Sequence, residues 1–342
     1  MCKNGETKLI NHTNGDRLGK SIDTMGRTSP EFVSFTSTII LLVLSVYGTL
    51  QFSLSFPFVL WKKGATEYYV RASYEYDEIN TRFDNTIWTY GTDYALAAIM
   101  FFGTIHCMTC VEGYSNLRLL SSGLLLSYCV QVLFGGFAHQ NYLTLESLNT
   151  KSFKTVWIIC VGTVALAGGF IGAIGTELGK ALHGMGCRMR IPLLPHYFWI
   201  LWGLYLMLYC AMGGISFKRP ACDIFIAGTT QTFPTVYTVA IVLSHYWEKS
   251  PNTKNQKLTV FVSKLQSLVS SKHRNFFYLG FFLNAPLLPL YPVLLSSNLQ
   301  LGSVNAICHT NLLTAWGLQY ITLWRFCVAL QMSSNNNLPK EH

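Results

Sequence analysis

Asp93, His106, His139, Glu177, His245 and His309 are ionisable side chains that fall inside or at the ends of long apolar stretches of this 342-residue chain. At membrane depth such groups are costly, and they are kept where they pair, relay protons or bind a ligand. Glu177 and His245 close their stretches and can reach an interface, whereas Asp93 and His309 lie well inside theirs. Imidazoles and a carboxylate gathered at one depth can ligate zinc and hold a water whose pKa falls to about 7. The same groups can equally tie helices together as a hydrogen-bond network.

The composition says what must position them. Half of the residues are hydrophobic, 14% are aromatic and only 12% are charged, against about 25% charged in soluble globular chains. This excludes a mainly disordered or collagen-like chain and predicts an integral membrane protein, all-α and polytopic. The net charge is +9, from 25 Lys and Arg against 16 Asp and Glu, and the basic residues are spread over the segments between apolar stretches. That distribution fits membrane lipids with anionic headgroups as partners and no nucleic acid. Of the ten Cys, most lie in or beside apolar runs and read as buried thiols. Cys107 and Cys110 form a single C-x-x-C with no second pair, which suits inert packing better than zinc or redox chemistry.

A bilayer core about 30 Å thick needs about 20 apolar residues per helix. Eight stretches qualify: 35–61, 87–110, 116–139, 153–177, 195–217, 222–246, 275–297 and 300–329. The last two are parted only by a short turn at Ser296 to Asn298, so they read as one or two spans. The expected organisation is a polar cytosolic tail (1–34), an N-terminal transmembrane helix (35–61) of signal-anchor type, an acidic aromatic outer loop (62–86), a seven-helix core (87–329) and a cytosolic tail (330–342). With the N-terminus inside, inner segments hold 17 Lys and Arg and outer loops 8, so both ends are expected in the cytosol. The triplet Asn11-His12-Thr13 then lies in the cytosol and stays unglycosylated.

This topology sets depths. Asp93 lies about 9 Å below the outer end of its span, Asn305 about 8 Å and His309 about 14 Å below the outer end of theirs, and His139 closes its span on the same side. Asn305 and His309 are also i, i+4 and share a helix face. Asp93, His139, Asn305 and His309 are therefore the candidate site.

The segments around these residues, Thr92-Asp93-Tyr94-Ala95-Leu96-Ala97, Gly135-Gly136-Phe137-Ala138-His139 and Asn305-Ala306-Ile307-Cys308-His309, resemble the pattern of seven-helix proteins related to alkaline ceramidases. That superfamily also includes the progestin and adiponectin receptor-like proteins. The resemblance implies a seven-helix core over 87–329, a zinc held by His139, His309 and the Asn305 position, Asp93 as a catalytic residue, and a lipid substrate. The chain departs from the pattern at Gly135, where a Ser is implied, at Asn305, where a His is implied, and around 152–157, where an implied Asp has no counterpart.

Other features belong to other classes. Leu258, Phe261, Val262, Leu265, Leu268 and Val269 share one helical face beside lysines, an amphipathic helix in the inner loop 247–274 that either meets anionic inner-leaflet headgroups at 254–274 or packs on the bundle. Gly162, Gly168, Gly169, Gly172 and Gly175 make a small-residue face for close helix packing. Pro234, and Pro286 with Pro289 and Pro292, open the helices near Gln231 and Asn284. A transporter or channel would build a polar path there with Asp93, Gln131 and Gln231. A receptor or scaffold needs only a buried polar knot.

Overall fold

The computed structural model describes residues 33–60, 74–75, 82–83, 85–109, 115–148, 150–184, 191–211, 228–244, 271–284, 290, 293–294, 297 and 299–335. The stretch 258–269 expected to be amphipathic, residues 254–270 of the segment expected to meet headgroups, most of the outer loop, and residues 1–32 and 336–342 of the tails lie outside them.

The body is all-α. Its helices are α1 (Phe35–Leu60), α2 (Ile87–Thr109), α3 (Ser115–Asn141), a single turn α4 (Leu145–Leu148), α5 (Lys151–Gly184), α6 (His196–Ala211), α7 (Thr232–Ser244), α8 (Ser271–Phe282) and α9 (Leu301–Asn335). The extended structure among the described residues is a two-residue antiparallel ribbon, Tyr74↔Phe83 and Glu75↔Arg82. Each of the eight apolar stretches overlaps one of the helices other than α4. Ends are capped by local chemistry: Thr150 Oγ1 accepts the amide of Phe153 (3.2 Å) and Ser34 Oγ that of Ser37 (3.3 Å), at the N-termini of α5 and α1. α8 stops at Phe282, four residues before Pro286, whose ring would meet the carbonyl there.

Side-chain contacts fix the direction of every helix. Thr86 faces Gly302, Thr92 meets His309 and His106 meets Tyr320, so α2 and α9 run parallel. Gly136 faces Asp93 while Gly103 faces Leu125, so α3 runs against α2. α5 runs against α3 (Gly123 to Phe170, Gly135 to Cys160), α6 against α5 (Gly162 to Met207, Gly179 to Leu193) and α7 along α5 (Gly168 to Pro234, Gly179 to Ile241). α8 runs against α9, since Gln319 reaches Gly280 and Asn311 reaches Leu283. α1 starts beside the start of α6, where Val33 N donates to Leu193 O (3.3 Å) and Phe35 packs on Tyr197. Apart from the single turn α4, successive helices alternate in direction, and the start of α1 and the end of α9 lie at one end of the bundle.

α5 is the axis of one side. Its glycines take Trp199 at Gly169 and Gly172 and Thr238 at Gly175, so the small-residue face lets α6 and α7 approach. Where they meet, Trp199 Nε1 donates to Thr176 Oγ1 (3.1 Å), Thr176 Oγ1 to Leu194 O (2.7 Å), and Leu194 N to the Tyr237 hydroxyl (3.0 Å). On the other side a large apolar cluster joins α2, α3, α8 and α9 around Met100, Leu124, Tyr128, Phe277 and Trp316.

Candidate functional site

α2 and α9, the first and last helices of the core, meet through a three-residue contact. His309 Nε2 lies 3.3 Å from Asp93 Oδ1, and His309 Nδ1 lies 2.7 Å from Thr92 Oγ1. The Asp93 side chain is buried and that of His309 nearly so. Thr92 Oγ1 also donates to carbonyls of its own helix, at Trp88 (2.6 Å) and Thr89 (2.9 Å). The imidazole thus sits between a carboxylate and a hydroxyl, an arrangement that can hold and pass a proton.

α3 supplies the wall. A Cβ on Gly136 would sit 3.0 Å from Asp93 Cβ, and one on Gly135 3.6 Å from Asp93 Oδ2, so this glycine pair is what lets α3 close over the carboxylate. A serine at 135 would place its hydroxyl against Asp93. His139 is half-buried one turn beyond Gly135, and Asn305 is buried one turn before His309. The structure therefore brings Asp93 and His309 together and sets His139 and Asn305 one turn away along α3 and α9. Among the described residues no three His, Cys, Asp or Glu side chains gather as a metal site. Both ring nitrogens of His309 face protein oxygens, so a zinc ion there would have to displace Asp93 or Thr92.

Thr92 was the residue that spacing did not single out. Its signal is adjacency to Asp93 on a helix whose neighbour carries His309. His106 sits at the opposite end of the same helix pair, with Nδ1 2.8 Å from the Tyr320 hydroxyl and its ring on Trp324. Glu177 is wholly buried rather than interfacial. Its Oε1 accepts a hydrogen bond from Lys180 Nζ (2.8 Å) and lies 2.7 Å from His196 Nε2, at the start of α6. Cys107, Cys129, Cys160, Cys308 and Cys327 are buried free thiols, as the apolar runs around them predict.

The carbonyls freed where α8 breaks are captured. Gln319 Nε2 donates to Gly280 O (2.9 Å) and Asn311 Nδ2 to Leu283 O (2.8 Å), both from α9. At the other break, Gln231 Nε2 reaches Val164 O (3.4 Å) on α5.

Fold and site together define an all-α bundle with a buried carboxylate–imidazole–hydroxyl contact between its first and last core helices. Two of its helices, over Asn116–Asn141 and Lys151–His183, are long and apolar enough to cross a membrane. No protein family, no curated protein and no solved structure matches the chain.

Proposed function

We propose that this chain is a multi-pass integral membrane protein of eight spans whose seven-helix core acts on a lipid in the bilayer, with Asp93 and His309 as the acid–base pair of an intramembrane hydrolase. The membrane part is supported by outward apolar stripes. Leu119, Leu126, Leu133 and Phe137 on α3, and Ile200, Leu201, Leu204, Tyr205 and Leu208 on α6, are large and exposed at helical spacing, which a soluble surface rarely tolerates. The alternating directions of the long helices fit short crossings of one slab.

The observation that carries the chemistry is the His309 ring held between the Asp93 carboxylate (3.3 Å) and the Thr92 hydroxyl (2.7 Å) in an apolar interior. In that role Asp93 orients the ring and balances its charge, and His309 takes a proton from an attacking water and returns it to the leaving group. The resemblance to ceramidase-related proteins supplies the substrate class, a lipid with a hydrolysable acyl bond, and zinc would enter only through His309, His139 and Asn305. Purified protein in detergent should hydrolyse long-chain lipid amides. His309→Ala and Asp93→Asn should lose turnover by about 100-fold or more while keeping the helical circular dichroism and elution volume of the wild type. Full turnover in His309→Ala would refute the hydrolase.

One observation favours a second reading, a structural pin in a receptor or scaffold: the Thr92 hydroxyl is already satisfied by Trp88 O and Thr89 O. A pin predicts that the wild type turns over nothing and that both variants act on stability alone. The transporter alternative is weakened at α8, where Gln319 and Asn311 take up the carbonyls that a path would need.

A further inference from the structure

Between the Asp93–His309 pair and the middle of the bundle lies a polar layer with no part in that pair. The Tyr128 hydroxyl donates to Gln319 Oε1 (3.0 Å) and faces the Asn284 side chain, while Gln319 Nε2 donates to Gly280 O (2.9 Å). One group each from α3, α9 and α8 thereby closes a lock. One turn from it on each helix stand Gln131, Trp316 and Asn284. The helix directions place all three on the side of the lock that faces Asp93 and His309: Gln131 is one turn, about 6 Å, from Gly135, and Trp316 is seven residues, about 10 Å, from His309.

Each of the three carries a buried polar atom with no partner among the described residues: Gln131 Oε1, Asn284 Oδ1 and Trp316 Nε1. Trp316 is 1% exposed and its ring lies flat on Tyr128, 4.2 Å between centroids, which fixes the direction of its N–H. Buried polar atoms without partners are rare in folded proteins, and three on adjoining segments between the lock and the Asp93–His309 pair indicate a ligand that completes them. Two are acceptors and one is a donor. From 119 to 138, 310 to 324 and 275 to 284, these helices carry no Asp, Glu, Lys, Arg or His. A charged ligand at this level would meet no counter-charge.

We propose that Gln131, Asn284 and Trp316 form a head-group subsite for an uncharged lipid that carries both hydrogen-bond donors and an acceptor, such as the hydroxyl and carbonyl groups of a monoacylglycerol or of an acyl ethanolamide. The subsite rests on the membrane-embedded reading above but not on hydrolysis, because binding is read without turnover. The stacked Tyr128 and Trp316 rings are its floor and the Asp93–His309 pair its upper end.

The test is a thermal-shift titration of the full chain in detergent with three probes of equal chain length: a monoacylglycerol, an acyl ethanolamide and the anionic lysophosphatidic acid. The two neutral probes should raise the unfolding temperature saturably, and whichever binds more tightly identifies the head group. Lysophosphatidic acid should raise it only at much higher concentration. In Gln131→Leu/Asn284→Leu the neutral probes should bind about tenfold more weakly, the effect of losing two ordinary hydrogen bonds. Because Asn284 also faces the Tyr128 hydroxyl, the unfolding temperature of the ligand-free double variant is measured first and each shift is read against it. If it fails to fold, Trp316→Phe keeps the ring stack, removes only the N–H and should weaken binding several-fold. Binding is read by thermal shift without turnover, so saturable shifts with no hydrolysis leave this subsite standing while the hydrolase falls, and hydrolysis with no shift does the reverse. No shift with either neutral probe, an equal shift in the double variant, or binding of lysophosphatidic acid as tight as that of the neutral lipids overturns the proposal.

Discussion

Asp93 and His309 show what residue type and depth can and cannot reveal. Both are costly in lipid alone, their spans place them in the same half of the bundle, and they do meet, at 3.3 Å. Thr92 was hidden because a hydroxyl on an apolar helix is usually absorbed by its own backbone, as this one also is. Glu177 was misjudged for a related reason. Hydropathy puts it at the end of a stretch, but α5 runs on to Gly184, so the carboxylate stays inside and needs Lys180 and His196. Removing one member of a buried polar contact leaves the other without its partner. Asp93→Asn and His309→Gln are each expected to cost about 1–3 kcal/mol in reversible unfolding, and the double variant less than their sum. A double-mutant cycle by denaturant unfolding in detergent measures this, and strict additivity would mean that the two side chains do not interact. Glu177→Gln should cost about 1.5–3 kcal/mol, the range for hydrogen bonds to a charged group, in the same assay.

At the scale of the element, apolar runs disclosed where helices are but not where they end or what they touch. α5 and α9 extend past their apolar stretches to Gly184 and Asn335, because a helix continues through polar residues once its core face is packed. α8 ends at Phe282, well before the apolar stretch does at 297, because proline stops a helix whatever the hydropathy. The glycine face of α5 was legible, and its partner was not: nothing in the spacing says that Trp199 fills Gly172. Gly172→Ala should therefore destabilise by about 1–3 kcal/mol through overpacking. Gly48→Ala on α1, where an added methyl meets nothing within 4 Å, should be neutral or stabilising by up to about 1 kcal/mol. Comparing the two unfolding free energies checks this, and equal costs would show that Trp199 does not sit in the Gly172 gap. Gln319→Leu removes a partner from both Gly280 O and Tyr128, and a loss of about 1–3 kcal/mol is expected by the same measurement.

For the whole molecule, the question is how the bundle lies in a bilayer. Seven helices of alternating direction over 87–329, preceded by α1 running with α3, α6 and α8, put the start of α1 and the end of α9 at one end. The eight spans proposed above would require that, and the excess of 17 over 8 Lys and Arg favours the cytosol for this end. The two arguments use different residues: one rests on contacts between helices, the other on the Lys and Arg at helix ends and in the segments that join them. They therefore make a joint prediction at described, exposed positions. Thr144, between α3 and α5, should face outside, and Lys272, at the start of α8, should face the cytosol. Single cysteines at these sites, in a chain with the ten native cysteines replaced, should react with an impermeant maleimide from opposite sides of sealed cells. Thr144→Cys should label in intact cells, and Lys272→Cys only after permeabilisation. Labelling of both from one side would break the alternation across the membrane, and reversal of both would keep the eight spans but turn the Asp93–His309 pair toward the inner half of the bilayer.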